Sequence, residues 1–431
     1  MKTFFKQFWN LVKQNKLFTS IYVIGSGIAI AMTMAIFIVL YMKFAPIYPE
    51  YNRNRTLVMK YIGRTGKVKD VGRWGGALSY QLAEKLRTLP HVDKVASMSK
   101  LPFKEYYSLL IPQTNTNLGV VSIFTDADYW KVFQFHFISG RPFTETEVTS
   151  NLPVVILSEH TAMRVFASTD VVDKLIVING NEYKVCGVVK EVSTTQPTTS
   201  AEIYLPLFNF PPNKQANGWL GNVEYYITAT DTDATRLLKT EITDMMDRLS
   251  QEDPEYEWHI YGQPDEYWMS IFRTDTFSAP HINEIMKGFV YILIALLFIP
   301  ALNLSGMISS RMNRRIAEIG VRKAYGATNQ QIIMQLLNEN LLLTCVGGII
   351  GLLFSYLFVI GANEWIHYIF DDTPNVYADM ALPTITFEMF FNPFLFVTVF
   401  VLCLLLNVIS ALVPTAWAMR RTIIQCIYTK R

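Results

Sequence analysis

The sequence predicts a four-span α-helical membrane protein with a large mixed α/β extracytoplasmic domain between spans 1 and 2. Three observations carry that prediction. Of the 431 residues 51% are hydrophobic, and they gather in blocks: stretches 17–42, 288–310, 340–363 and 389–419 contain no Asp, Glu, Lys or Arg. Each exceeds or matches the about 20 helical residues that cross roughly 30 Å of hydrocarbon. One such block would suit a buried core helix; four, each flanked by charge, do not. Basic residues in short loops mark the cytoplasmic side. Lys2, Lys6, Lys13 and Lys16 precede the first block, Arg311, Arg314, Arg315, Arg322 and Lys323 lie between the second and third, and Arg420, Arg421, Lys430 and Arg431 follow the fourth. The short loop between the last two blocks carries Glu364, Asp371, Asp372, Asp379 and Glu388 and no Lys or Arg. Both termini are therefore expected in the cytoplasm, with the long intervening segment outside. That segment, 44–284, mixes strand and helix periodicities and is ample for a core of its own.

In chain order, residues 1–16 are expected to form a cytoplasmic interfacial helix. Phe4, Phe5, Phe8, Trp9 and Val12 fall on one face and lysines on the other, the pattern of a helix lying along the membrane surface. Span 1 covers 17–43. Its apolar run is longer than the core of a secretory signal, and no small-residue cleavage site follows, so a retained helix is expected. In 44–284 a helix with Leu78, Leu82, Leu86 and Leu89 on its apolar face stops at Pro90, before a strand in "VDKVASMS". A strand over Val154 to Leu157 runs into a helix starting near Ser158. Asn179-Gly180 supplies the positive-φ turn of a hairpin. "STTQPTTSAE" reads as a polar surface loop, and "AEIYLPLF" as a short strand. Leu237, Leu238, Ile242, Met245, Met246 and Leu249 share the apolar face of a helix, and "DPEYEWHIYGQPDEYW" is extended. One domain or two lobes would both fit.

Chemistry is hard to find. No HExxH is present, and the six histidines lack metal-ligand spacing. Ser158-Glu159-His160 are neighbours in sequence, whereas triad members converge from separate places; a helix-starting Ser explains them better. "GRTGKV" at Gly63 is too short for a phosphate loop, and Lys67 is followed by Val68; a loop between strands is expected. The net charge of +2 and the topology argue against nucleic acid. Of four cysteines only Cys186 falls in 44–284, so no internal disulfide is expected there. The residues point to no catalytic, cofactor or metal site.

Span 2 is expected at 285–310, a cytoplasmic element at 311–338, span 3 at 339–362, a short external loop at 363–390, span 4 at 391–419 and a cytoplasmic tail at 420–431. The element at 311–338 is the informative part. From Ile316 to Tyr325 the chain can form a short helix, with Glu318 and Arg322 at i, i+4 in the favourable acid-first order. Gly326 can end it in the left-handed conformation. Thr328 and Gln331 fit a capping box for the helix that runs on into span 3. The expected result is a short helix held crosswise beneath the membrane, suited to carrying a push from a cytoplasmic partner into two spans.

"RRIAEIGVRKAYGATNQQIIMQLLNENLLLTCVGGIIG" resembles the signature of the FtsX/MacB-type permeases of ABC transporters. The matching positions are Arg315, Glu318, Gly320, Arg322, Lys323, Ala324, Gly326 and Ala327. "YWKVFQFHFISGRPFTETEV", "VVILSEHTAMRVFASTDVVDKLIVINGNEYKVCGVVKEV" and "AEIYLP" are similar, in order, to the periplasmic core domain of MacB-like permeases. "ISALVPTAWAMRR" resembles the end of the family's last span, with Thr415 after Pro414 where Ala is usual. The resemblance implies that 311–338 holds the coupling helix seated on a cytoplasmic ABC ATPase, which binds the ATP. Because the chain begins at its membrane helix, that ATPase is expected as a separate polypeptide. It further implies a bacterial inner membrane protein with a periplasmic domain, working as a dimer with itself or a homologue in the lipid bilayer. A periplasmic adaptor and an outer-membrane channel belong to the macrolide-exporter arrangement, and no residue here identifies either. Efflux or export by mechanotransmission is the expected function. An FtsX-like regulator of a cell-wall enzyme, a lipoprotein-release permease and a motorless sensor are the alternatives.

Within the spans, Gly347 and Gly351 make a Gly-x-x-x-Gly, and Gly25 and Gly27 begin small-x-x-x-small pairs. Small residues let helix backbones approach, within the subunit or across a dimer. Pro300 is expected to kink span 2. Asn303, Ser305, Asn407 and Ser410 are polar but uncharged, so no ion relay is expected.

Overall fold

The computed structural model describes residues 16–67, 72–101, 106–111, 114–193, 195–214, 218–362 and 392–419. The expected interfacial helix, apart from Lys16, and the expected loop at 363–390 and tail at 420–431 lie outside the described residues. The chain divides into a helical unit of 1–42, 283–366 and 385–431 and an α/β unit of 43–282 and 367–384.

The α/β unit is built on a twelve-stranded sheet. Its order runs Asp265–Glu266, Thr56–Met59, Glu224–Ala229, Val92–Lys100, Ser122–Thr125, Ile203–Pro206, Val154–Ser158, Asn181–Val189, Leu175–Ile178, Tyr107–Ile111 and Thr116–Val120, with Phe137–Gly140 pairing on Asn181–Val189. Two pairs are parallel: Ile203–Pro206 with Ser122–Thr125, and Asn181–Val189 with Val154–Ser158. The central strands Ser122–Thr125, Val154–Ser158 and Ile203–Pro206 are buried along their length, so they read as continuous rather than alternating apolar runs. A four-stranded sheet, in the order Leu220–Gly221, Trp74–Leu78, Ile62–Gly66 and Tyr256–His259, completes the unit. One hydrophobic cluster serves both sheets. At its heart Trp130 lies 5.1 to 5.4 Å from the rings of Phe135, Phe137, Phe143 and Tyr204. Edge-to-face pairs like these add roughly 0.5–1.5 kcal/mol each beyond area burial.

Local rules account for much of this. Asn179 (φ 51°) and Gly180 (φ 78°) make the two-residue turn between Leu175–Ile178 and Asn181–Val189, since a type I′ turn needs positive φ at both positions. Ser158 Oγ accepts from Thr161 N at 3.2 Å, capping the helix Glu159–Phe166; the Ser-Glu-His run is a helix start.

Four expectations are corrected here. "STTQPTTSAE" is not a surface loop: Ser193, Thr195, Gln196 and Thr199 are buried, with the Ser193 and Thr195 hydroxyls 3.0 Å apart and Gln196 Nε2 donating to Ile47 O. Thr199 Oγ1 donates to Glu50 Oε1 at 2.7 Å. The helix expected from Leu78 begins only at Leu82 and spans Leu82–Arg87. Leu78 instead ends the strand Trp74–Leu78, where its pairing with Leu220 outweighs the helical pattern. The run at Gly63 is a strand, Ile62–Gly66, and not a loop. Leu237, counted on the apolar face of Ala234–Glu252, is 55% exposed, while Leu238, Ile242, Met245, Met246 and Leu249 are buried.

The long helices are α1 (Lys16–Phe44), α2 (Ile282–Ala324), α3 (Asn329–Gly361) and α4 (Pro393–Met419); the helical unit takes α1 up to Met42 and α2 from Asn283, and Lys43, Phe44 and Ile282 belong to the α/β unit. Among the described residues three helices are long and apolar enough to cross a membrane: Thr19–Phe44, Asn329–Gly361 and Pro393–Leu412. The segment expected as span 2 lies within α2. That helix corrects a further expectation. It runs unbroken through 43 residues, past Pro300 and Arg311, so no separate crosswise helix begins at Ile316. Nothing from 307 to 325 breaks a helix except Gly320, which a helix tolerates at a cost of about 1 kcal/mol.

Candidate functional site

The turn joining α2 to α3 is closed by hydrogen bonds that its own sequence dictates. Ala327 N donates to Arg322 O and Gly326 N to Lys323 O, both at 3.0 Å, the paired bonds of a Schellman motif. That motif requires a left-handed residue, supplied by Gly326 at φ 88°. Thr328 then opens α3 with a reciprocal capping box. Gln331 N donates to Thr328 Oγ1 at 3.3 Å and Thr328 N to Gln331 Oε1 at 3.0 Å. Two helix ends, each with unsatisfied backbone groups, are thereby completed within a few residues.

The hairpin is also braced against its surroundings. Arg322 donates through Nη2 to Glu318 Oε1 and through Nη1 to Gln335 Oε1, each at 2.6 Å, tying α2 to α3. Gln335 Nε2 passes the chain of bonds to Glu339 Oε1 at 3.2 Å. Lys323 Nζ donates to Met419 O at 2.9 Å, placing a cation on the last turn of α4, where the helix dipole favours it. Ile319 and Gly320 are buried, and Met312, Ile319, Ile332 and Leu336 join Tyr22 and Met419 in one apolar cluster. The opposite side is open: Val321, Ala324 and Gly326 are exposed, and Tyr325 is 89% exposed. Ala327 is half-buried. The side chain of Arg315 lies outside the described residues. The matched positions thus divide among Gly320, which is buried, Arg322 and Lys323, which are half-buried and tie α2 to α3 and α4, and Glu318, Ala324 and Gly326, which are exposed.

The helix-packing glycines meet inside one subunit. A Cβ on Gly351 would lie 2.5 Å from Gly27 O, and one on Gly27 would lie 3.0 Å from Gly347 O. The backbones of α1 and α3 therefore touch at Gly27, Gly347 and Gly351, as small-residue pairs allow. Gly25 is half-buried. A polar knot joins three helices on the same unit. Tyr22 Oη donates to Asn407 Oδ1 at 3.1 Å, Asn407 Nδ2 donates to Thr344 Oγ1, and Thr344 Oγ1 donates to Asn340 O at 2.9 Å. Asn407 stood out in the sequence; Tyr22 and Thr344 did not, because nothing local marks a tyrosine or threonine as buried.

In the α/β unit, no group of three His, Cys, Asp or Glu among the described residues could hold a metal ion. The buried carboxylate of Asp126 is pushed up to about 7 by burial, and it accepts from Ser97 N at 2.9 Å and Tyr129 N at 3.0 Å. Burial likewise raises Glu202 to about 7. Asp126 knits a strand to the short helix Tyr129–Val132, which is a structural use. Two buried ion pairs, Glu50 with Arg53 and Asp265 with Arg273, escaped the sequence reading because charge alone suggests a solvated surface.

Comparison with known proteins supplies what geometry cannot. Residues 19–245 match the family of the MacB-like periplasmic core domain, and residues 290–423 match the FtsX-like permease C-terminal family. The chain is similar to an uncharacterized ABC transporter permease, YknZ, of Bacillus subtilis (strain 168). The two are 25% identical over 229 residues, which cover 53% of this chain and 54% of that one. It is also 25% identical over 280 residues to the macrolide export ATP-binding/permease protein MacB of Aggregatibacter actinomycetemcomitans, covering 61% of this chain and 40% of that one. The chain thus matches about half the length of these curated relatives. A solved structure of the periplasmic region of MacB from Actinobacillus actinomycetemcomitans aligns with 48% of this chain and 88% of its own, at 17% identity and a TM-score of 0.33.

Proposed function

This chain belongs to the MacB/FtsX-type permeases, its first family match alone covering more than half its length, and from that premise we propose that it is the membrane subunit of an ABC transporter that carries the movement of a separate cytoplasmic ATPase to an extracytoplasmic domain. α2 supplies the second of four spans, both termini face the cytoplasm, and the α/β unit lies outside. The subunit works with a second permease copy or homologue, and the cycle serves efflux or export.

The observation that carries this reading is the α2–α3 hairpin. Its turn is fixed by a Schellman motif and a capping box and braced by Arg322 and Lys323. Its outer side offers Val321, Ala324 and Tyr325. A floppy loop would absorb a push; a capped hairpin continuous with two long helices hands it on. The exposed Tyr325 and Val321 fit an apolar recess on a partner, since an amphipathic anchor of this kind supplies much of an interface's energy.

The test is recovery of the tagged chain from its native membrane in mild detergent, with mass spectrometry of what accompanies it. An ABC ATPase is expected with the wild-type chain. It should be lost from Gly326→Val, whose β-branched side chain is strained at φ 88°, and from Glu318→Lys, with membrane insertion intact in both. Equal recovery of the ATPase with both variants, together with unchanged ATP hydrolysis by the complex, would refute the hairpin's role. No ATPase with any form would favour a motorless anchored protein.

A further inference from the structure

Two arginines with no motif around them sit where the chain enters and leaves the α/β unit. Arg53 Nη1 donates to the carbonyls of Lys43 at 2.9 Å and Ala45 at 2.7 Å. It thus bonds a carbonyl of the last turn of α1, at the end where a cation is favoured. Its Nε and Nη2 hold Glu50 Oε2 at 2.7 and 2.5 Å, and the other Glu50 oxygen accepts from Thr199 Oγ1. The Arg53 guanidinium lies 5.1 Å from the ring centroid of Tyr267.

Tyr267 belongs to the segment that leads towards α2, and the second arginine organises that segment. Arg273 grips both oxygens of Asp265, at 2.5 and 2.9 Å, and donates to Ser278 O at 2.6 Å and Tyr261 O at 3.2 Å. The rings of Phe44 and Phe272 stand 5.9 Å apart. Arg53, Glu50, Arg273 and Asp265 are all at most 8% exposed. Strands adjoin both sides: Thr56–Met59 follows Arg53 and pairs with Asp265–Glu266.

A buried ion pair is a poor source of stability, because desolvation offsets most of the Coulombic gain. What it supplies is geometry, since a forked, multiply bonded guanidinium permits one arrangement of its partners. We propose that Arg53 and Arg273 are positioning residues that staple the exit of α1 and the approach to α2 into one rigid stem on the twelve-stranded sheet. This rests on the transmission reading above and adds where the movement enters the α/β unit. Without the staple, the stretches 45–53 and 271–281, which hold little regular structure, would flex and dissipate it.

The experiment is amide hydrogen exchange on the full chain with its co-purified ATPase in lipid nanodiscs, with and without ATP plus vanadate. In the wild type, nucleotide should change exchange both in the hairpin, 318–331, and in the stem strands, 56–59 and 265–266. In Arg53→Gln the hairpin response should persist and the stem response should be lost, with nucleotide-free exchange across the sheet as in the wild type. A stem response equal to wild type in Arg53→Gln would overturn the staple and leave transmission standing. A hairpin response with no stem response in the wild type would overturn transmission and the staple with it. If Arg53→Gln exchanges fast throughout the sheet even without nucleotide, Arg53→Lys decides, because it keeps a cation beside Glu50 but loses the fork that also reaches the carbonyls of Lys43 and Ala45. A folded Arg53→Lys with an undiminished stem response overturns the proposal.

Discussion

Replacing Gly351 by Ala puts a methyl group where α1 and α3 touch. The new Cβ would stand 2.5 Å from Gly27 O, 3.2 Å from Ile30 Cβ and 3.3 Å from Ala31 N. Two of the three neighbours are backbone atoms of a helix and cannot rotate away. Restoring ordinary contact, about 3.5 Å, means opening the crossing by roughly 1 Å, and forced overpacking of this kind costs about 1–3 kcal/mol. Alanine is the better helix former by about 1 kcal/mol, so the comparison needs a glycine that supplies the gain without the clash. Gly306 in α2 is such a site: no described atom lies within 4 Å of a Cβ built there. Gly351→Ala should therefore be less stable than Gly306→Ala by about 1–3 kcal/mol. Thermal unfolding in detergent can be followed with a maleimide fluorophore that reacts as Cys345 in α3 and Cys403 in α4 become exposed, with Cys186 and Cys426 replaced by Ser. If Gly351→Ala melts with or above Gly306→Ala, the α1–α3 contact does not have this geometry.

Two further outcomes follow from the same structure. Thr328→Ala removes the capping box at the start of α3 and should cost about 1 kcal/mol, seen as faster amide exchange over 329–331; unchanged exchange there would deny the cap. Burial holds the Asp126 carboxyl at about 7 in the folded chain, above its unfolded value of about 3.9. The folded state therefore binds the proton more tightly, and stability should fall as pH rises from about 4 to about 7, by up to about 4 kcal/mol. Glu202, also raised to about 7 by burial, acts in the same direction. Denaturant unfolding of the full chain should show a flatter pH profile for Asp126→Asn than for wild type, and identical profiles would contradict the assignment.

The parts of the site that could be read from the chain are those whose partners lie within a few residues. Gly326, Thr328, Gln331 and the Glu318–Arg322 pair obey helix-end and i, i+4 rules that need no fold. The opposite holds for Lys323, whose partner Met419 lies at the far end of the helical unit's sequence, and for Arg53, whose guanidinium meets the ring of Tyr267. The segment "STTQPTTSAE" shows the failure in its plainest form. Composition marks it as solvated, yet Ser193, Thr195, Gln196 and Thr199 are buried, Thr199 because Glu50 happens to meet its hydroxyl.

Charge-free blocks, the basic-residue bias and the hairpin's own caps made a membrane protein with a large α/β insertion and a structured α2–α3 turn readable from the residues alone, since each depends on composition or on neighbours along the chain. Three-dimensional packing decided the rest. It made one continuous helix of the expected span and coupling element, tied Arg322 and Lys323 to α3 and α4 while leaving Val321 and Tyr325 open, brought Gly27 against Gly347 and Gly351, and buried Arg53 and Arg273 with their carboxylate partners. Those features depend on which distant groups supply a hydrogen-bond partner or a free volume, and a linear pattern holds no record of either.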